Sequence, residues 1–90
     1  MPYIKNEDRG KYTDLIESLV VLLSDQYKND GFSGELNFVL SMIVTQLFRR
    51  NKRYKMGNDI IGALTGVLHE FYRKELVPYE DVKIKENGDI

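Results

Sequence analysis

The stretch FRRNKRYK, residues 48–55, holds Arg49, Arg50, Lys52, Arg53 and Lys55, five of the chain's thirteen basic residues, although the net charge is only −1. Guanidinium and ammonium groups so placed can hold phosphate or carboxylate oxygens by charge-assisted hydrogen bonds. Tyr54, in their midst, offers a ring face for base stacking or cation–π contact. Two of the charges have an ordinary explanation. Arg49 and Arg50 fall in the last turn of an expected helix, where the helix dipole favours cations. Lys52, Arg53 and Lys55 exceed what capping requires, so the run reads either as a solvated helix end or as an anion site. An isoelectric point near 5.8 argues against a dedicated DNA binder, whose domains commonly lie above about pI 9. The connection that holds Lys52, Arg53 and Lys55 looks longer than the turn of a helix-turn-helix, and the following helix looks too apolar for a recognition helix.

The second constellation is GALTGVLHEFYR, residues 62–73. Gly62 and Gly66 stand four apart, and His69 and Arg73 continue the stripe at steps of three and four. Glycine inside a helix costs roughly 1 kcal/mol relative to alanine, so two on one face call for a reason. Close approach of another helix is one reason. Room for a ligand is the other, with His69 and Arg73 as donors to an anion.

Catalysis finds little support in the sequence. There is no cysteine, hence no disulfide and no thiolate nucleophile, and His69 is the single histidine, too few for the usual zinc sites. No third group is in place to orient His69 as the base for a nucleophile. The carboxylates show no spacing that separates an acid–base pair from ordinary surface charge, and no P-loop or GxGxxG occurs. We expect no enzyme, no cofactor and no metal site. No apolar run reaches the ~18 residues of a membrane span. The N-terminus has no signal-peptide regions, which predicts a cytoplasmic protein.

The elements that would position these residues are helical. Ninety residues, 42% hydrophobic and 30% charged, predict one folded domain. Apolar residues recur at helical spacing in three segments, about 13–28, 34–50 and 59–77, with no strand alternation of useful length. Thr13 and Ser33 are expected N-caps, and the third helix is expected to start near Asn58. The second segment is apolar around most of its circumference, so a partner subunit is expected to cover part of it, with Phe38, Met42, Thr45 and Arg49 at the interface. Pro78 should end or kink the third helix, followed by a short helix over 79–87 that closes on Asn87 and Gly88. The fold class is therefore all-α: a three-helix bundle with a short C-terminal helix and an N-terminal segment packed on it. Glu75, Glu80, Asp81, Glu86 and Asp89 give the C-terminal end an acid excess that is able to meet the basic run in a self-assembly.

MPYIKNEDR at the start, GELNFVL in the middle, and EFYRK with PYEDVKIKENGDI at the end together resemble a family of short proteins from tailed phages and prokaryotes, known as a domain of unknown function. The resemblance spans essentially the whole chain. It implies a stand-alone protein, acting in the host cytoplasm if phage encoded, and it brings no catalytic or binding residues with it. By analogy of size and context, it implies a non-catalytic accessory or counter-defence protein. The expected partners are a second copy of the chain and either a small nucleotide-like anion or a host protein. Nucleic-acid binding through residues 49–55 and a purely structural role are the alternatives.

Overall fold

The chain leaves its first helix through a turn at Asp25 and Gln26 and enters its second through a turn at Asp30 and Gly31, where Asp and Gly suit turns. The computed structural model describes residues 3–26 and 30–90. Its elements are a 3-10 turn at Asn6–Asp8, α1 at Gly10–Ser24, α2 at Phe32–Arg50, α3 at Tyr54–Phe71, a π-helical turn at Tyr72–Leu76, and α4 at Val77–Asn87. The protein is all-α, with no strand among the described residues. It divides into two units, residues 1–52 and 53–90.

In the first unit, α1 starts three residues before the expected cap. The 3-10 turn, closed by the Asp8 amide on the Lys5 carbonyl at 3.0 Å, feeds directly into the helix, and the Tyr12 amide reaches the Arg9 carbonyl at 3.0 Å. Thr13 is consequently inside the helix. Its hydroxyl donates back to the Arg9 carbonyl at 3.3 Å, the bond that Ser and Thr make in helix interiors. The Arg9 Nε donates to the Ile4 carbonyl at 3.1 Å and ties the N-terminal segment to α1. Ser33 likewise lies within α2, behind Gly31, whose carbonyl accepts from the Glu35 amide at 2.9 Å. Tyr27, Lys28 and Asn29, expected at the end of the first helix and in its stop, lie outside the described residues, as do Met1 and Pro2.

The second unit is one continuous helix of 34 residues from Tyr54 to Asn87, about 51 Å long at ~1.5 Å per residue. The helix does not end at Pro78, the first of the two outcomes expected there. A proline has no amide hydrogen and its ring collides with the carbonyl four residues back. Here the π turn precedes it: the Val77 amide bonds to the Tyr72 carbonyl, five residues back. Pro78 then falls at the start of α4, the part of a helix that best tolerates proline. Val77 keeps α-helical angles (φ −62°, ψ −49°), a conformation disfavoured before proline.

The start of α3 also differs from expectation. It begins at Tyr54, so Tyr54 and Lys55 belong to the helix and the connection from α2 is only residues 51–53. The connection therefore has the length of a helix-turn-helix turn, which overturns the length argument made from sequence.

No described residue in either unit is buried. Leu19 and Leu23 of α1 and Val39, Met42, Val44 and Thr45 of α2 are half-buried, whereas Phe38 remains 64% exposed.

Gly88 closes α4 with φ +86° while its amide donates to the Ile84 carbonyl at 2.7 Å. Only glycine adopts that angle cheaply. Gly88→Ala should fray the last turn, at a cost of ~1 kcal/mol. Amide hydrogen exchange checks this: exchange at residues 85–88 should quicken while residues 60–70 stay unchanged.

Candidate functional site

The five cations of the run occupy different local settings. Arg49 and Arg50 form the last turn of α2, where the dipole favours them. Lys52 lies in the connection, and Arg53, extended at φ −137° and ψ 150°, is the residue at which α3 opens. Tyr54 follows at the first helical position and is 94% exposed, its ring free to stack. Lys55, in the first turn, sits where the dipole disfavours a cation. Its Nζ is held 2.9 Å from the Asp59 carboxylate, one turn on. The hydrogen bond and charge of Asp59 raise the Lys55 pKa above the ordinary lysine value of 10.5. Its stabilising effect is therefore complete below pH 10.5 and is lost only as pH rises through the raised value. At neutral pH this lysine is charged and partly neutralised by its neighbour, and all five basic side chains are exposed.

Gly62, Gly66, His69 and Arg73 do share a face. At ~100° per residue they fall within an arc of about 60°. That arc lies opposite the stripe of Leu64, Val67 and Phe71, so the glycines stand on the polar side of α3. A Cβ built at Gly62 or Gly66 meets nothing within 4 Å. No element of the described chain uses the close approach they permit. Arg73 is engaged locally, its guanidinium 2.8 Å from the Glu70 carboxylate, which also takes Lys74 at 3.2 Å. His69 is exposed on the same face.

Sequence reasoning passed over one feature, an open depression of about 470 Å³ lined by Tyr3, Ile4, Lys5, Asn6 and Arg9. It arises because the Arg9 side chain folds back onto Ile4, a fold-back that periodicity does not signal. Of the expected interface residues of α2, Phe38 and Arg49 are exposed, and Met42 and Thr45 half-buried. Among the described residues no three of His, Asp and Glu are grouped as metal ligands, and no helix is long and apolar enough to cross a membrane.

Two expected outcomes follow from this geometry. Changing Lys52, Arg53 and Lys55 together to glutamine should leave the thermal midpoint unchanged or slightly raised, because exposed charges contribute within ~0.5 kcal/mol each and like charges repel. Gly62→Ala and Gly66→Ala should each stabilise the helix by ~0.5–1 kcal/mol, since nothing adjoins them. Thermal denaturation followed by circular dichroism checks both. A loss of stability in the alanine variants would place a second molecule against the glycine face.

Neither a curated protein nor a solved structure matches the chain. The model of one family, described as a domain of unknown function (DUF6899), matches residues 1–90. The match runs through the basic run, the glycine face and both termini, and the chain belongs to this family.

Proposed function

We propose that the protein acts by binding, without catalysis, as a homo-oligomer that engages a small nucleotide-like anion or a host protein. One observation carries this reading: every long helix exposes an apolar face and no described residue is buried. Elements of that kind gain stability by association. On α2 the surface in question includes Phe38, Met42, Thr45 and Arg49. For the ligand, the support is the chemistry of Lys52, Arg53 and Tyr54, three exposed groups in succession able to hold a phosphate and stack a base. Gly62, Gly66, His69 and Arg73 form a second, smaller candidate surface. Phage origin and a counter-defence role belong to this proposal and rest on size and context.

Nucleic-acid binding is the second reading, favoured by the three-residue connection at 51–53. Against it stands the polar face of α3, where Gly62 and Gly66 supply no side chain to reach a base edge and Asp59 occupies Lys55.

Calorimetric titration with cyclic dinucleotides, mononucleotides and a short random duplex, at two salt concentrations, separates the readings. The first predicts binding of a small nucleotide that weakens by at least about tenfold in the Lys52, Arg53 and Lys55 glutamine variant, given ~1.5 kcal/mol or more per charge-assisted contact. The second predicts duplex binding with a steep salt dependence. Binding of none, or equal binding by the variant, would remove the anion site and leave an assembly protein.

A further inference from the structure

The apolar side of the long helix carries a pattern that runs through its π turn. Ile61, Leu64, Leu68, Phe71, Leu76 and Tyr79 follow one another at steps of three, four, three, five and three. Steps alternating between three and four are the seam of a two-helix coiled coil. The single step of five, from Phe71 to Leu76, coincides with the π turn at Tyr72–Leu76. Because a π turn adds one residue to a turn, five residues there cover the rotation that four cover elsewhere. Leu76 and Tyr79 are thereby returned to the line of Leu64 and Phe71. In an uninterrupted α-helix, Leu76 would lie on the polar side with Gly62 and His69. All of the seam residues except the half-buried Leu76 are exposed, Ile61 at 64% and Leu68 at 63%.

We infer that this seam is the docking surface for the same helix of a second copy, paired antiparallel about a two-fold axis between Leu68 and Phe71. The inference rests on the homo-oligomer proposed above and adds a face and an orientation to it. Three observations select a second copy. The seam is self-complementary: about that axis Leu68 meets Phe71, Leu64 meets Leu76, and Ile61 meets Tyr79, the isologous pattern of a two-fold interface. The charges select the direction. Residues 49–55 carry five cations, and residues 75–90 carry five acids against two lysines. A parallel pair would set like ends together, whereas the antiparallel pair brings Glu86 of one helix level with Arg53 of the other and opposes the helix dipoles favourably. The length also fits, since a helix of about 51 Å finds its match in its own counterpart. The 15 and 19 residues of α1 and α2 span only about 22 and 28 Å. The apolar arc of α3 is wider than one seam, so Met56, Ile60 and Val67 remain for a further neighbour.

The chain has no cysteine, so spin labels can be placed singly at Asn58→Cys and His69→Cys, both exposed and away from the seam. Sedimentation of the labelled full chain gives the subunit count, and electron–electron double resonance gives the distance between equivalent labels. In the antiparallel pair the two His69 positions are nearly level along the axis, while the two Asn58 positions are offset by about 35 Å at ~1.5 Å per residue. The expected result is an oligomer in which the 58-to-58 distance exceeds the 69-to-69 distance by more than 10 Å. An oligomer with equal distances is parallel, and one with the longer distance at 69 is joined elsewhere. Either overturns the inference while leaving the oligomer standing. A monomer overturns both.

Discussion

Apolar side chains need a second surface before leaving water, and a lone helix or a two-helix hairpin supplies little of one. This constraint governs the chain. Its first unit holds α1 and α2, which touch only slightly, and its second is a single helix. Each is amphipathic or apolar all round, and in neither does any described side chain reach full burial. Fully burying a Leu, Ile or Phe side chain gains roughly 1.5–3 kcal/mol. The six seam residues of the long helix and the apolar circumference of α2 therefore represent a large stabilisation that only further packing can realise. An isolated helix is marginal in water even when its sequence is favourable.

The π turn at Tyr72–Leu76 ties two features together. It gives Pro78 a place in a helix that proline would otherwise interrupt, and it sets Leu76 and Tyr79 on the side of Leu64 and Phe71. A regular α-helix with the same sequence would satisfy neither requirement: the Pro78 ring would press on the Lys74 carbonyl, and Leu76 would join the glycines. The apolar line thus runs unbroken from Ile61 to Tyr79. The other face carries Gly62, Gly66, His69 and Arg73.

The all-α class and the approximate positions of the long helices were legible because their periodicity is strong: Leu15 to Leu23, Leu36 to Phe48 and Ile60 to Leu76 repeat at helical spacing. The ends were less so. Thr13 and Ser33 have the chemistry of caps, yet each lies inside a helix, because the 3-10 turn at Asn6–Asp8 and the turn at Gly31 already start the chain winding upstream. Lys55 fell in the connection because the third helix was expected to start near Asn58; it lies instead in the first turn of α3, paired with Asp59. Pro78 was expected to end or kink the helix because proline usually does one or the other; the one available signal, the five-residue step from Phe71 to Leu76, is legible only once the helix is known to continue past it. Of the candidate sites, the shared face of Gly62, Gly66, His69 and Arg73 followed from spacing alone. That a side chain at Gly62 or Gly66 would meet nothing was not legible, because spacing along one helix says nothing of what packs on it.

The central claim is that the apolar surface of this chain is covered by another copy of itself. Stability must then depend on protein concentration, since dissociation accompanies unfolding. The most direct measurement is the urea midpoint of unfolding, followed by circular dichroism, over a hundredfold range of protein concentration. The account predicts a midpoint that rises steadily with concentration. A midpoint that stays constant across the range, with a single cooperative transition, would mean that one chain buries its own core, and would contradict the account.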